Sequence, residues 1–241
     1  MKLPKIIYEV PSLENQLSLF TYFLNLPEEF HQKIFTAYPR LKTDDSNDVI
    51  PEIYLQKLKS LEQIKQNIQK DWDNVSDSIL TEFSTILEKE WNMENVTGGI
   101  SLVPFSTRDL QKKRFDIFYK KDSRDILKTS IHEIFHFLYF EKWKEIFPNT
   151  TIEECDYPNP TWILSEIALP IMLNSSKVIN DLGMNFKNYT LFEKEIFQGE
   201  NVMEHITRIY PKNSISDFLM ESNTYIKRCD MKKRNSKQRV Y

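Results

Sequence analysis

Apolar positions recur at helical spacing over most of the chain. Leu13–Leu26 and Glu28–Ala37 carry them three and four residues apart, and Pro27 and Pro39 close these two segments. Thr43–Asp48 is polar and turn-like, and two longer helical patterns follow over Glu52–Asp71 and Ser76–Trp91. The period then changes. Residues 5–10 and the runs Ile100–Phe105 and Arg114–Tyr119 are short, β-branched or aromatic, and read as strands, the last two starting beyond Gly98-Gly99. Asp122 or Ser123 caps a helix running to about Ile146, with Asp125 in its first turn and Pro148 beyond its end. Asn159-Pro160 opens another over Trp162–Leu173, bent at Pro170, with Asn as cap and Pro at the first helical position. Shorter helices are expected over Leu191–Phe197, Val202–Tyr210 and Ile215–Lys227. The pattern predicts an α+β fold, mostly helical, with a small sheet. It has a helical N-terminal region over 1–94 and a second region over 95–241, together forming one compact unit.

Composition narrows the chemistry. The chain has 241 residues, enough for one or two domains with a real core. Its four glycines stand at Gly98, Gly99, Gly183 and Gly199, so neither a dinucleotide fingerprint nor a P-loop can be written. Cys155 and Cys229 are too few for a disulfide framework or a thiolate zinc module. A metal would have to be held by histidines and carboxylates. Pro4, Glu9 and Pro11 interrupt any leader-like apolar run, and no apolar run reaches the roughly 18 residues of a membrane helix, so a cytoplasmic protein without membrane contact is expected. Lys227, Arg228, Lys232, Lys233, Arg234, Lys237 and Arg239 face the single acid Asp230 at the end of an otherwise acidic chain. Aromatic residues do not interleave them before Tyr241, so a solvated helix end is expected and a nucleic-acid partner is not.

The chemistry concentrates at His132-Glu133-Ile134-Phe135-His136, an H-E-x-x-H run. Four residues apart on a helix, His132 and His136 differ by about 40° and one turn, so both imidazoles project from one face. Two neutral imidazoles can hold zinc, and Glu133, about 60° from His136, can reach a water there without ligating the metal. With four His and 21 Glu, chance would produce this pattern on the order of 0.005 times in such a chain. Ile131, Ile134, Phe135, Phe137, Leu138, Tyr139 and Phe140 make the helix apolar almost all round, so its polar residues need partners.

A third ligand is required. Glu141 and Glu145 lie roughly 180° and 220° from His132 and face away. Glu166 is the only charged residue of the apolar segment 161–173 and is the preferred candidate, ahead of Asp156, Glu153 and Glu154 in a polar loop. His205, Tyr210, Tyr139 and Tyr157 are open as stabilisers of an oxyanion, and spacing does not choose among them. His31, in a charged helix far upstream, is not a candidate.

From Gly98 to Leu173 the chain resembles the zincin metallopeptidases, and among them the gluzincins, in its two strands, its H-E-x-x-H helix and its second helix bearing Glu166. The resemblance implies a zincin-like small sheet packed on the H-E-x-x-H helix and on the Glu-bearing helix. It implies Zn²⁺ held by His132, His136 and Glu166, with Glu133 as the general base of peptide hydrolysis. It also implies that Ile100–Phe105 or Arg114–Tyr119 is the sheet edge that aligns a peptide or protein substrate by strand addition. Pro170 stands where many gluzincins have an Asp, Ser165 where they often have Asn, and residues 137–165 make a longer separation than in the best-known members. Met93-Glu94-Asn95 resembles part of an aminopeptidase signature, but Trp91 replaces its glycine and the triplet reads as a helix end. The expectation is therefore a zinc-dependent peptidase. The rivals are another zinc hydrolase and a non-catalytic helical interaction protein with a structural or vestigial zinc site.

Overall fold

The structure is a computed structural model and describes residues 2–187, 192, 196, 197, 199–210 and 214–238, with Glu29 and 230–238 described by backbone alone. The protein is α+β and mostly helical, with a small mixed sheet. It divides into two compact units, residues 2–77 with 92–134, and residues 78–91 with those from 135 on. Among the described residues no helix is long and apolar enough to cross a membrane.

The first unit is built on a four-stranded sheet of β1 (Lys5–Glu9), β2 (Asn95–Ser101), β3 (Thr107–Asp109) and β4 (Arg114–Phe118) in the order β1-β2-β4-β3. β1 and β4 pair parallel to β2, and β3 pairs antiparallel to β4. Helices α1 (Leu13–Leu24), α2 (Glu28–Ala37) and α3 (Ser46–Asp73) belong to the same unit. Alternation buries Ile6 and Tyr8 of β1 and leaves Lys5 and Ile7 outside. The second strand begins five residues earlier than its apolar run suggested and contains both glycines. A Cβ at Gly98 would lie 2.7 Å from the Tyr8 ring and 2.8 Å from that of Phe115, so two aromatic side chains occupy the space a side chain would need. Met93-Glu94-Asn95 leads into this strand instead of ending a helix; Lys5 N–H donates to the Glu94 carbonyl at 2.9 Å.

The edge expected at either 100–105 or 114–119 lies at neither: both strands are interior, and among the described residues the edges are β1 and β3. β3 left little trace in the pattern because its three residues, Thr-Arg-Asp, are polar and half-buried. The β1 edge is covered. Gln69 of α3 donates to the Ile6 carbonyl at 3.0 Å and accepts from Tyr8 N–H at 2.9 Å, taking two of the outward backbone groups of that strand. The helix α3 starts at Ser46, before the expected Glu52, because Asp45 accepts from Asn47 N–H at 2.8 Å, and it runs on through Pro51 in its second turn.

The second unit holds α4 (Ser76–Leu87) from Ser78 on, the C-terminal half of α5 (Ser123–Ile146), α6 (Pro160–Ser175), α7 (Lys177–Asp181), the β5 (Ile196–Phe197) and β6 (Glu200–Asn201) hairpin, α8 (Val202–Ile209) and α9 (Ile215–Gln238). Phe83 of α4 meets Phe135 of α5 edge-on at 4.9 Å, and Trp143, Leu169, Met172 and Leu219 are fully buried. Each such side chain contributes about 1.5–3 kcal/mol by leaving water. α4 stops at Leu87, short of the expected Trp91, because Glu88 turns left-handed at φ 48°. Lys89 N–H then reaches the Ser84 carbonyl at 3.1 Å and Glu88 N–H reaches that of Thr85 at 3.4 Å, a Schellman end without its usual glycine. The helix expected over 191–197 lies mostly outside the described residues, and Ile196–Phe197 is a strand paired with Glu200–Asn201. The basic C-terminal stretch continues α9 to Gln238; its side chains from 230 on lie outside the described residues.

Candidate metal centre

α5 carries the H-E-x-x-H run, and its capping follows the sequence. Asp122 accepts from Asp125 N–H at 2.8 Å, and the helix runs unbroken from Ser123 to Ile146. From Ser130 to Phe140 it is buried on nearly every side. The position of His136 is set by neighbours on the same helix. Its ring stacks on Phe140 one turn later, with centroids 5.8 Å apart and planes at 15°, and meets Tyr139 edge-on at 6.5 Å.

Glu166 comes from α6, whose apolar residues are buried almost throughout. Asn159 stands at its N-cap, but its side chain donates to the carbonyls of Glu153 and Asp156 at 2.7 and 3.0 Å and leaves the helix without a side-chain cap. Pro170 lies inside this helix four residues after Glu166, so the amide that would have bonded the Glu166 carbonyl is missing.

The structure brings His132, His136 and Glu166 together. One ligand atom from each lies within 4.8 Å of the others, and His136 Nε2 stands 3.2 Å from Glu166 Oε1. Two atoms each about 2.0–2.1 Å from a tetrahedral metal are separated by about 3.3 Å, so this pair has the span of two ligands on one ion. His136 is wholly buried, Glu166 is 3 % exposed and His132 is half-buried. Two imidazoles and one carboxylate, withdrawn from water, form a donor set that fits a divalent ion with one coordination position left open. The cluster could hold a metal ion.

Glu133, the expected base, follows His132 on α5, is buried and is not part of the cluster. Arg108 Nη1 donates to its Oε2 at 3.0 Å, and both side chains are less than a tenth exposed. A buried carboxylate alone would be costly, and this pair neutralises it. Arg108 had no signal in the sequence, since it stands on the polar edge strand β3 and its burial depends on the sheet.

The other candidates disperse. Glu145 pairs with Lys89, and Glu154 accepts from Thr151 N–H at 2.8 Å. Asp156 caps the short 3₁₀ turn Glu153–Cys155, and none of these acids joins the cluster. His205 Nδ1 lies 2.8 Å from Glu200 Oε2, and its ring stacks on Tyr225 at 3.7 Å. The Tyr210 hydroxyl is 3.3 Å from Ser175 Oγ, and Tyr157 is 58 % exposed against the edge of Trp162. Tyr139 is fully buried, and among the described residues its hydroxyl has no hydrogen-bond partner. Burial above all, with the Cys155 and Glu166 side chains acting in the same direction, holds it well above the ordinary tyrosine pKa, so it stays a neutral phenol. His31 packs edge-on against Phe35 within α2.

No protein-family model, characterised protein or solved structure matches the chain.

Proposed function

We propose that the protein is a zinc-dependent metallopeptidase. The observation that carries this reading is the convergence of Glu166 from a second helix on the two histidines of an H-E-x-x-H helix, at ligand-to-ligand distance. A zinc ion held by His132, His136 and Glu166 would supply a Lewis acid that polarises a carbonyl and lowers the pKa of a water toward about 7.

The rest is done by the chain's own residues. Glu133 sits one residue after a ligand and outside the ligand set, so its carboxylate takes the proton of the attacking water and passes it to the leaving amine. Arg108 grips Oε2 of Glu133 and fixes the carboxylate's orientation. β3 is the edge along which an extended peptide aligns by backbone hydrogen bonds, because Gln69 already covers the opposite edge of the sheet. Of the four residues considered for oxyanion support, Tyr139 is favoured because it stands three residues after His136 on α5, with its ring edge-on to that imidazole at 6.5 Å.

The test is hydrolysis of a quenched peptide library by the purified chain. Activity is expected to disappear with a zinc chelator and to return with about one equivalent of zinc. A zinc-loaded protein that releases no product from any pool would overturn the proposal.

A further inference from the structure

The stripe of α5 that carries Glu133 also carries Asp125 and Thr129, at successive four-residue steps. Lys121, just ahead of the helix, folds back along this stripe. Its Nζ donates to Thr129 Oγ1 at 2.9 Å and lies 3.5 Å from Ser106 Oγ. Among the described residues Lys121 makes no ion pair; its ammonium is half-buried against two neutral hydroxyls. Burial lowers its pKa, against the attraction of Glu133 and Asp125 and together with repulsion from Lys33. Lys33 of α2 also lacks an ion-pair partner among the described residues. Its ammonium stands 5.2 Å from the centre of the Phe105 ring. Among the described residues, two cations without an ion-pair partner therefore lie against Phe105-Ser106, the segment that leads into the edge strand β3 and Arg108.

A half-buried cation whose hydrogen bonds go only to hydroxyls, with Glu133 and Asp125 attracting it from beyond contact, has given up water without gaining a directly bonded carboxylate, and an anion from outside supplies one. Thr129 precedes Glu133 by one turn, about 6 Å along the helix axis. An extended peptide advances about 3.3 Å per residue, so an anion at Lys121 belongs to a group about two residues from the bond that Glu133 serves.

We propose that Lys121 and Lys33 form a subsite for a carboxylate of the substrate. The enzyme then selects peptides with an acidic side chain, or a free C-terminal carboxylate, about two residues from the scissile bond. This rests on the peptidase reading for its meaning, but the carboxylate binding is testable without it.

The experiment uses the full chain, stripped of metal so that nothing is cleaved, immobilised and exposed to acetylated random peptide pools. Three amidated pools carry Glu, Gln or Lys at one fixed position, and a fourth matches the Gln pool but ends in a free carboxylate. The Glu pool or the free-carboxylate pool, which separates the two sources, is expected to be retained at least about tenfold more than the amidated Gln pool, as one charge-assisted hydrogen bond allows. Lys121→Met should abolish that preference, Lys33→Met should weaken it, and Lys121→Arg should keep it. Equal retention of the Glu, Gln and free-carboxylate pools, or a preference that survives Lys121→Met, overturns the subsite. If the acidic pools are retained but the zinc-loaded chain cleaves none of them, the subsite stands and the peptidase reading falls.

Discussion

Glu133→Gln is expected to lower peptide hydrolysis by about 10²–10⁴-fold while leaving zinc content unchanged. The carboxamide has nearly the shape of the carboxylate and can still accept a hydrogen bond from Arg108 through its oxygen, but it cannot take up a proton. The metal should stay because its three ligands, His132, His136 and Glu166, are untouched. The substitution does leave the Arg108 guanidinium buried beside a neutral group, which costs stability on the order of 1–3 kcal/mol. Activities should therefore be compared well below the unfolding temperature of both proteins. Retained hydrolysis removes Glu133 as the base, whereas loss of zinc would make it a ligand.

Glu166→Ala carries the second large effect. The substitution removes the one carboxylate of the cluster and leaves two imidazoles on a single helix turn. Zinc affinity is expected to fall by more than about 100-fold, beyond what the loss of a merely supporting hydrogen bond costs. Competition with a chromogenic chelator reads this directly. Heat denaturation reads it again. Zinc at 1,000 times its dissociation constant stabilises a folded protein by about 4 kcal/mol, and the variant should lose most of that increment. Unchanged affinity would return the third ligand to Asp156 or His205, although the structure holds His205 against Glu200 and Tyr225.

Much of the fold follows from local signals. Pro27 and Pro39 stand just beyond the ends of helices α1 and α2, Asp122 stands where α5 begins, and the 3.6-residue period carries each helix between such signals. The cluster of His132, His136 and Glu166 is legible for a related reason. The two histidines share one helix turn, which needs no tertiary information, and Glu166 is conspicuous as an acid in an apolar helix.

What escaped the pattern depends on contacts distant in sequence or on rare backbone states. Gly98 and Gly99 look like a boundary until Tyr8, some ninety residues earlier, is seen to fill the space beside Gly98. A non-glycine residue at φ 48°, Glu88, gives no warning that α4 stops there. β3 has three polar residues and exists because β4 pairs with it. Arg108, the partner of the proposed base, was invisible with it, and so was the true edge of the sheet. The corrected edge changes the proposed substrate path. A peptide would align along β3, beside Arg108 and the Phe105-Ser106 segment, and not along either longer strand.

The proposed chemistry requires one metal ion at one place. Crystals grown from zinc-containing solution and measured on both sides of the zinc absorption edge test it directly. A single anomalous peak is predicted, about 2.0–2.1 Å from one ring nitrogen of His132 and one of His136, and about 2.0–2.2 Å from a Glu166 carboxylate oxygen. Absence of a peak there, or a peak held by other residues without Glu166, would contradict the account.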